Sequence, residues 1–266
     1  MNRGVTRRPL LGLLIPAAVA VLFIALPLIG LLVHVDWGNL GSQLVSADVL
    51  TALRLSLECS IIAVAIALVI GVPLAYLLAR TSMPGRRIVR GLVTLPLVLP
   101  PVVGGIALQT AFGRSTPIGA LLEHFGIVLP FSTAGAAIAE AFVGFPFLVI
   151  TVEAGLRQRD DHFEEIAATL GARPWRRFWR VTLPLAAPSI AAGAALCWAR
   201  ALGEFGATIT FAGSYPGTTE TLPIAAYSSF EGSGQVGMAI TLSLLLLAIS
   251  ILVLVVLRDR WLGALR

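Results

Sequence analysis

Residues 10–33 read LLGLLIPAAVAVLFIALPLIGLLV, 24 positions without a charged side chain. An apolar run of about 20 residues crosses a bilayer as a helix, because only a helix closes its own backbone hydrogen bonds where there is no water. The run is too long for the apolar core of a signal peptide, so it reads as a retained first span. Further runs occupy 55–79, 91–112, 132–154, 185–203 and 236–257. Six transmembrane helices make this an all-α integral membrane protein. Several runs carry helix-disturbing residues: Gly71, Pro73, Pro96, Pro100, Pro101 and Pro146. In a membrane bundle each is either a kink whose neighbours re-satisfy the backbone or a break that lines a path.

The whole chain agrees with that reading. Of 266 residues 57% are hydrophobic and 12% charged, and the mean hydropathy is +0.91. A soluble domain carries about 25% charged residues. The deficit excludes an ordinary soluble enzyme, a disordered tail and a nucleic-acid binder. All 19 basic residues are Arg and none is Lys. A chain without lysine has no phosphate-loop lysine, no Schiff-base lysine and no kinase-type lysine, so it cannot power itself with ATP.

The arginines also set the topology. Segments 1–9, 80–90, 155–184 and 258–266 carry 3, 4, 6 and 3 of them. The loops at 34–54 and 113–131 hold only Arg54 and Arg114, and 206–236 holds none. The positive-inside rule then places both termini in the cytoplasm, with six crossings alternating between them. The net charge of +5 is thus topological, with contact to anionic lipid heads. Cys59 and Cys197 lie in apolar runs as small buried hydrophobes. His34, His124 and His162 are isolated, and no metal site is expected. No repeat at a fixed period is visible, so a symmetric path through so small a bundle would form between two copies.

The 30 residues 155–184 form the longest cytoplasmic loop. Phe163, Ile166, Ala167 and Leu170 fall at i, i+3, i+4 and i+7, one face of a helix of about 10 residues. Asp161 is placed to cap it, with Glu164 three residues on, and Gly171 and Pro174 supply the stop. Its apolar stripe has no cover in its own loop. It lies on the membrane interface, packs under the bundle, or docks a cytoplasmic partner. Trp175, Arg176, Arg177, Phe178, Trp179 and Arg180 come next as interfacial anchors.

The second informative segment is Ala199-Arg-Ala-Leu-Gly-Glu-Phe-Gly-Ala-Thr208. Ionisable groups inside a span are costly, so they are paired or functional. Arg200 and Glu204 stand four apart and can reach each other, with Glu58 and Glu140 as alternative partners for Arg200. Either an ion pair fixes helix packing here, or Arg200 with Thr208 and Thr210 lines an anion path. The path reading requires Glu204 to be neutralised or turned away.

The segment Glu165-Ile-Ala-Ala-Thr-Leu-Gly171, followed nine residues later by Val181-Thr-Leu-Pro184, resembles the cytoplasmic signature of ABC importer permeases. There the pattern is Glu-Ala-Ala, three residues, Gly, nine residues, Ile, any residue, Leu, Pro. Glu165, Ala167, Gly171, Leu183 and Pro184 match; Ile166 and Val181 are the departures. By this resemblance the helix is a coupling helix seated in a separate ATPase subunit, and Glu165 and Gly171 are coupling residues. The resemblance implies a type I importer bundle, a single permease domain over 1–266 with its core at 50–257. ATP and Mg are then bound by the partner, with no cofactor and no catalytic residue in this chain.

Span five, continuing through Thr208-Ile-Thr-Phe-Ala-Gly213, Pro216-Gly217 and Thr221-Leu-Pro-Ile-Ala-Ala-Tyr227, resembles molybdate and sulfate importer permeases and is closer to the molybdate branch. Leu95-Pro-Leu-Val-Leu-Pro-Pro-Val-Val-Gly-Gly105 resembles the same branch. That likeness implies a homodimer, two ATPase copies and an extracytoplasmic oxyanion-binding protein in the cytoplasmic membrane. Sulfate, thiosulfate and tungstate are the alternative cargoes. An ion-coupled secondary carrier would use Glu58, Glu140 and Glu204 as relays. A membrane enzyme would need converging acids, whereas Asp36, Asp48, Glu123, Glu220 and Glu231 are scattered over the outer loops.

Overall fold

In the computed structural model, which describes residues 11–159, 162–232 and 235–264, every regular element is helical. In chain order these are α1 (Leu11–Val33), α2 (Leu40–Leu44), α3 (Ala47–Arg80), α4 (Arg86–Val98), α5 (Pro101–Phe112), α6 (Pro117–His124), α7 (Thr133–Gln158), α8 (His162–Thr169) and α9 (Pro174–Arg177). A π turn (Phe178–Thr182) leads into α10 (Leu183–Leu202), α11 (Gly206–Ala212), α12 (Leu222–Glu231) and α13 (Val236–Ala264).

Five of the six expected spans are each met by one continuous helical stretch long and apolar enough to cross a membrane, at Gly12–Val33, Ala47–Arg80, Thr133–Gln158, Pro174–Leu202 (α9, the π turn and α10) and Val236–Val253. The third is built differently. Residues 91–112 are shared between α4 and α5, which meet at Leu99 and Pro100, both extended with ψ of 133° and 134°. Two adjacent prolines explain the break. Each ring disfavours the helical conformation of the residue before it, and neither offers an N–H to the preceding turn. Pro101 then suits the first turn of α5, where no donor is needed. Single prolines do not break their helices: Pro73, Pro146 and Pro188 stay inside α3, α7 and α10.

α3, α7 and α10 form the centre. Lipid offers helices no hydrophobic drive to associate, so close approach between small residues does that work. Ala63 of α3, Ala141 of α7 and Ala201 of α10 accordingly meet in one buried cluster. Toward the Arg-rich end the core fills with Leu78, Leu148, Val149, Val152, Leu156 and Phe178. Cys59 and Cys197 are buried free thiols. None of the apolar window of α1 is buried, so this helix stands outside the central bundle.

Side-chain oxygens hold the opposite end. Ser132 accepts from Gly135 N at 3.1 Å to cap α7, and Ser56 of α3 accepts from Leu222 N at 2.7 Å at the start of α12. Each satisfies a backbone donor that a helix start leaves orphaned.

Candidate functional site

The segment carrying the importer-like signature forms α8, eight residues against an expected length of about ten. Asp161, the expected cap, lies outside the described residues. The stop is at Gly171, whose φ is +80°. Ala172 N donates to Ala167 O and Gly171 N donates to Ala168 O, both at 2.9 Å. These are the paired 6→1 and 5→2 bonds of a Schellman ending, which require a left-handed residue, and glycine adopts it without a steric cost.

No residue of α8 is buried. Phe163, Ile166 and Leu170 are 59%, 42% and 81% exposed, so among the described residues nothing covers the apolar stripe. An ion pair ties the helix to the bundle from its other side: Arg80 at the end of α3 lies 3.6 Å from Glu164, with both side chains mostly buried. Glu165 is exposed and Ala167 half-buried.

After α9, Trp175, Phe178 and Trp179 pack ring against ring, and Phe178 meets Tyr76 of α3 edge-on at 5.0 Å. Of the expected interfacial aromatics, Phe178 therefore faces the core, while Trp175 and Trp179 remain exposed. Leu183 packs on the same core cluster, and Pro184 is exposed in the first turn of α10.

The second candidate lies where α10 ends and α11 begins. Arg200 Nη2 is 2.5 Å from Glu204 Oε2. Glu58 faces Arg54 instead, at 3.8 Å on an exposed surface. Glu204 is 1% exposed, and its other oxygen accepts from Ala207 N at 2.8 Å. One carboxylate thus balances the guanidinium and satisfies a free donor in the first turn of α11, so the guanidinium charge is not left over for an anion. Thr210 Oγ1 donates to Gly206 O within its own helix at 2.7 Å. Thr208 is fully buried and its hydroxyl has no partner; the same holds for Glu140 Oε2.

The two oxyanion-permease-like segments, 95–105 and 199–213, are joined by the packing of α5 on α11. A Cβ on Gly105 would lie 2.6 Å from Thr210 Cβ and 2.8 Å from the Ala207 carbonyl oxygen. Backbone cannot yield as a flexible side chain does. Gly105→Val is therefore expected to destabilise the subunit by about 1–3 kcal/mol through overpacking, read as a lower unfolding midpoint and less protein in the membrane. Gly104→Ala, whose Cβ would meet the Phe142 ring edge at 3.3 Å and Ala207 Cβ at 4.0 Å, should be the milder change.

Sequence reasoning passed over Glu153. Nearly buried at the Arg-rich end of α7, it accepts from Arg90 through both carboxylate oxygens and from Arg157 Nε at 2.9 Å, with Arg86 Nη2 at 3.9 Å. A lone acid four residues before Arg157, in the favourable order for a helix, is the signal that was available. Among the described residues no group of His, Cys, Asp and Glu could hold a metal.

Similar proteins place this arrangement. Residues 71–265 match the family described as binding-protein-dependent transport system inner membrane component. The molybdenum transport system permease protein ModB of Mycobacterium tuberculosis is 45% identical over 234 residues, 88% of this chain and 89% of that protein. The protein of the same description from Escherichia coli K12 is 41% identical over 213 residues, covering 80% and 92%. The sulfate transport system permease protein CysW of Synechococcus elongatus is 37% identical over 208 residues, covering 78% and 71%. Among solved structures, a bacterial ABC transporter involved in import of the acidic polysaccharide alginate superposes with a TM-score of 0.75 over 94% of this chain and 93% of that chain, at 18% identity. The chain therefore belongs to the family of binding-protein-dependent transport system inner membrane components, a multi-pass permease subunit rather than an enzyme.

Proposed function

We propose that this subunit forms the path for molybdate in an ATP-driven importer of the cytoplasmic membrane. The observation that carries the reading is the 41–45% identity to molybdenum transport permeases across most of both chains, against 37–39% to sulfate transport permeases. Molybdate is a tetrahedral dianion, so its passage needs no His or Cys ligands. Two copies of the chain enclose the path, two copies of an ATPase hold ATP and Mg, and an extracytoplasmic binding protein delivers the oxyanion. Both termini and the Arg-rich end face the cytoplasm.

In this reading α8 is the coupling helix. Its uncovered stripe of Phe163, Ile166 and Leu170 meets the ATPase, with Glu165, Ala167 and Gly171 setting its contact and its end. Leu183 and Pro184 begin the span that the helix moves. ATP draws the ATPase copies together, the coupling helices move with them, and the bundles rock about the path. The loaded binding protein biases the cycle only because it binds the outward-open state better than the inward-open one. Arg200 and Glu204 fix the turn between α10 and α11 beside that path, with Thr208 and Thr210 on the same element.

The test is uptake into liposomes by this chain reconstituted with its ATPase and binding protein. Molybdate is expected to accumulate only with ATP and binding protein, and excess sulfate should compete poorly. Tight sulfate binding by the binding protein with no response to molybdate would sink the cargo assignment. Uptake without any ATPase would sink the importer reading and leave a secondary carrier.

A further inference from the structure

The geometry points to Glu153 as a positioning residue that makes the Arg-rich ends of α3, α4 and α7 one body with the coupling helix, so that a push on α8 is delivered to the bundle. The inference rests on α8 being the docking helix of the proposed importer.

Three guanidinium groups from two elements converge on this one carboxylate. Arg86 and Arg90 come from α4, and Arg157 comes from α7 itself. Arg90 and Glu153 stand 63 residues apart in the chain, so the bond joins elements that share no local connection.

Two reciprocal bonds extend the joint to α3. Arg157 Nη2 donates to the Leu78 carbonyl at 3.1 Å, and Arg80 Nη2 donates to the Arg159 carbonyl at 3.3 Å. Both acceptors lie at the ends of α3 and α7, where carbonyls are orphaned and cations are favoured. Arg80 also reaches Glu164 on α8. A chain of ion pairs and guanidinium–carbonyl hydrogen bonds thus runs from α4 through Glu153 and Arg157 to α3, and through Arg80 to the coupling helix.

The opposite face of α8 is exposed, and none of its residues is buried. Beyond its contacts with α9 and the π turn, packing holds this helix only lightly, and the ionic joint ties its motion to the bundle. Glu153 is also what allows the three cations to converge. Without its charge Arg86, Arg90 and Arg157 repel, and the joint between α4 and α7 loosens at this end although Val89 and Val93 still pack in the shared core. Coupling carried by such a network changes when one member is removed even where neither ligand is touched.

The experiment uses the assembled importer in liposomes and measures molybdate imported per ATP hydrolysed. Glu153→Gln is expected to leave assembly and ATP hydrolysis in place while the ratio falls roughly tenfold. Glu153→Asp keeps the charge within reach of three long side chains and should restore most of the ratio. A merely structural role would lower uptake and hydrolysis together, in proportion to the complex recovered. An unchanged ratio in Glu153→Gln, or equal losses in the Gln and Asp variants, overturns the proposal. If Glu153→Gln does not assemble, Arg90→Gln, which leaves Arg86 and Arg157 on the carboxylate, carries the same measurement with a smaller expected drop; an unchanged ratio there overturns it equally. Wild-type uptake that is independent of the ATPase would instead remove the coupling reading itself, whatever Glu153 does.

Discussion

Gly171→Val is expected to lower coupled uptake and copurification with the ATPase by roughly 5–30-fold. The position lies in open space, with no atom near enough to meet a Cβ, so the damage is conformational. A β-branched residue forced to φ +80° costs at least about 1–2 kcal/mol. That cost falls on an eight-residue helix with no fully buried residue and little packing energy to offset it. Its last turn then unwinds, and the docked geometry loses population by a factor of roughly 5–30. Gly171→Asn is the informative companion, because asparagine tolerates the left-handed region. Association retained by Asn and lost by Val assigns the glycine to the helix stop. Loss in both variants assigns it to close approach by the ATPase surface, and full association in Val would show that the stop does not position the helix.

The second large effect is at Arg200. Replacing it with Met leaves Glu204, 1% exposed, as a buried charge without its counter-ion. Breaking such a pair from one side costs about 3–5 kcal/mol, and the unfolding midpoint of the purified subunit should fall by roughly 10 °C. Adding Glu204→Gln to the same protein removes the stranded charge and keeps an acceptor for Ala207 N, so most of the loss should return. A different pattern identifies a path residue: a midpoint unchanged by Arg200→Met, with uptake lost, would mean that Arg200 meets the anion directly.

These sites were legible in the sequence to different depths, for physical reasons. Uncharged runs locate membrane helices because lipid imposes one requirement on every residue, and the run at 132–154 predicted α7 to within a few residues. The break at Leu99 and Pro100 was visible as a proline pair, but choosing between a kink and a break needed the structure. Pro73 and Pro146 show that a single ring can be absorbed. Arg200 and Glu204 declared themselves by an i, i+4 spacing inside an apolar span. The second role of Glu204 did not, since it depends on the turn at Gly203 bringing the Ala207 N–H to the carboxylate, which no side-chain spacing announces. Glu153 was the least legible: its α4 partners lie more than sixty residues away in the chain, and no local pattern announces a long-range ionic joint.

The π turn at Phe178–Thr182, closed by Leu183 N on Phe178 O, gives the fixed interval between Gly171 and Val181 a geometric meaning. A helix advances about 100° per residue, so the one extra residue of a wide turn sets the phase of everything after it. The nine-residue interval therefore encodes an angle as much as a length. It dials α10 so that Ala201 faces α3 and α7 while Arg200 looks along the turn to Glu204. A homologue that gained or lost one residue between Pro174 and Arg180, where the chain is continuously helical into α10, would keep both flanking signatures intact and yet present the wrong side of its fifth span to the bundle.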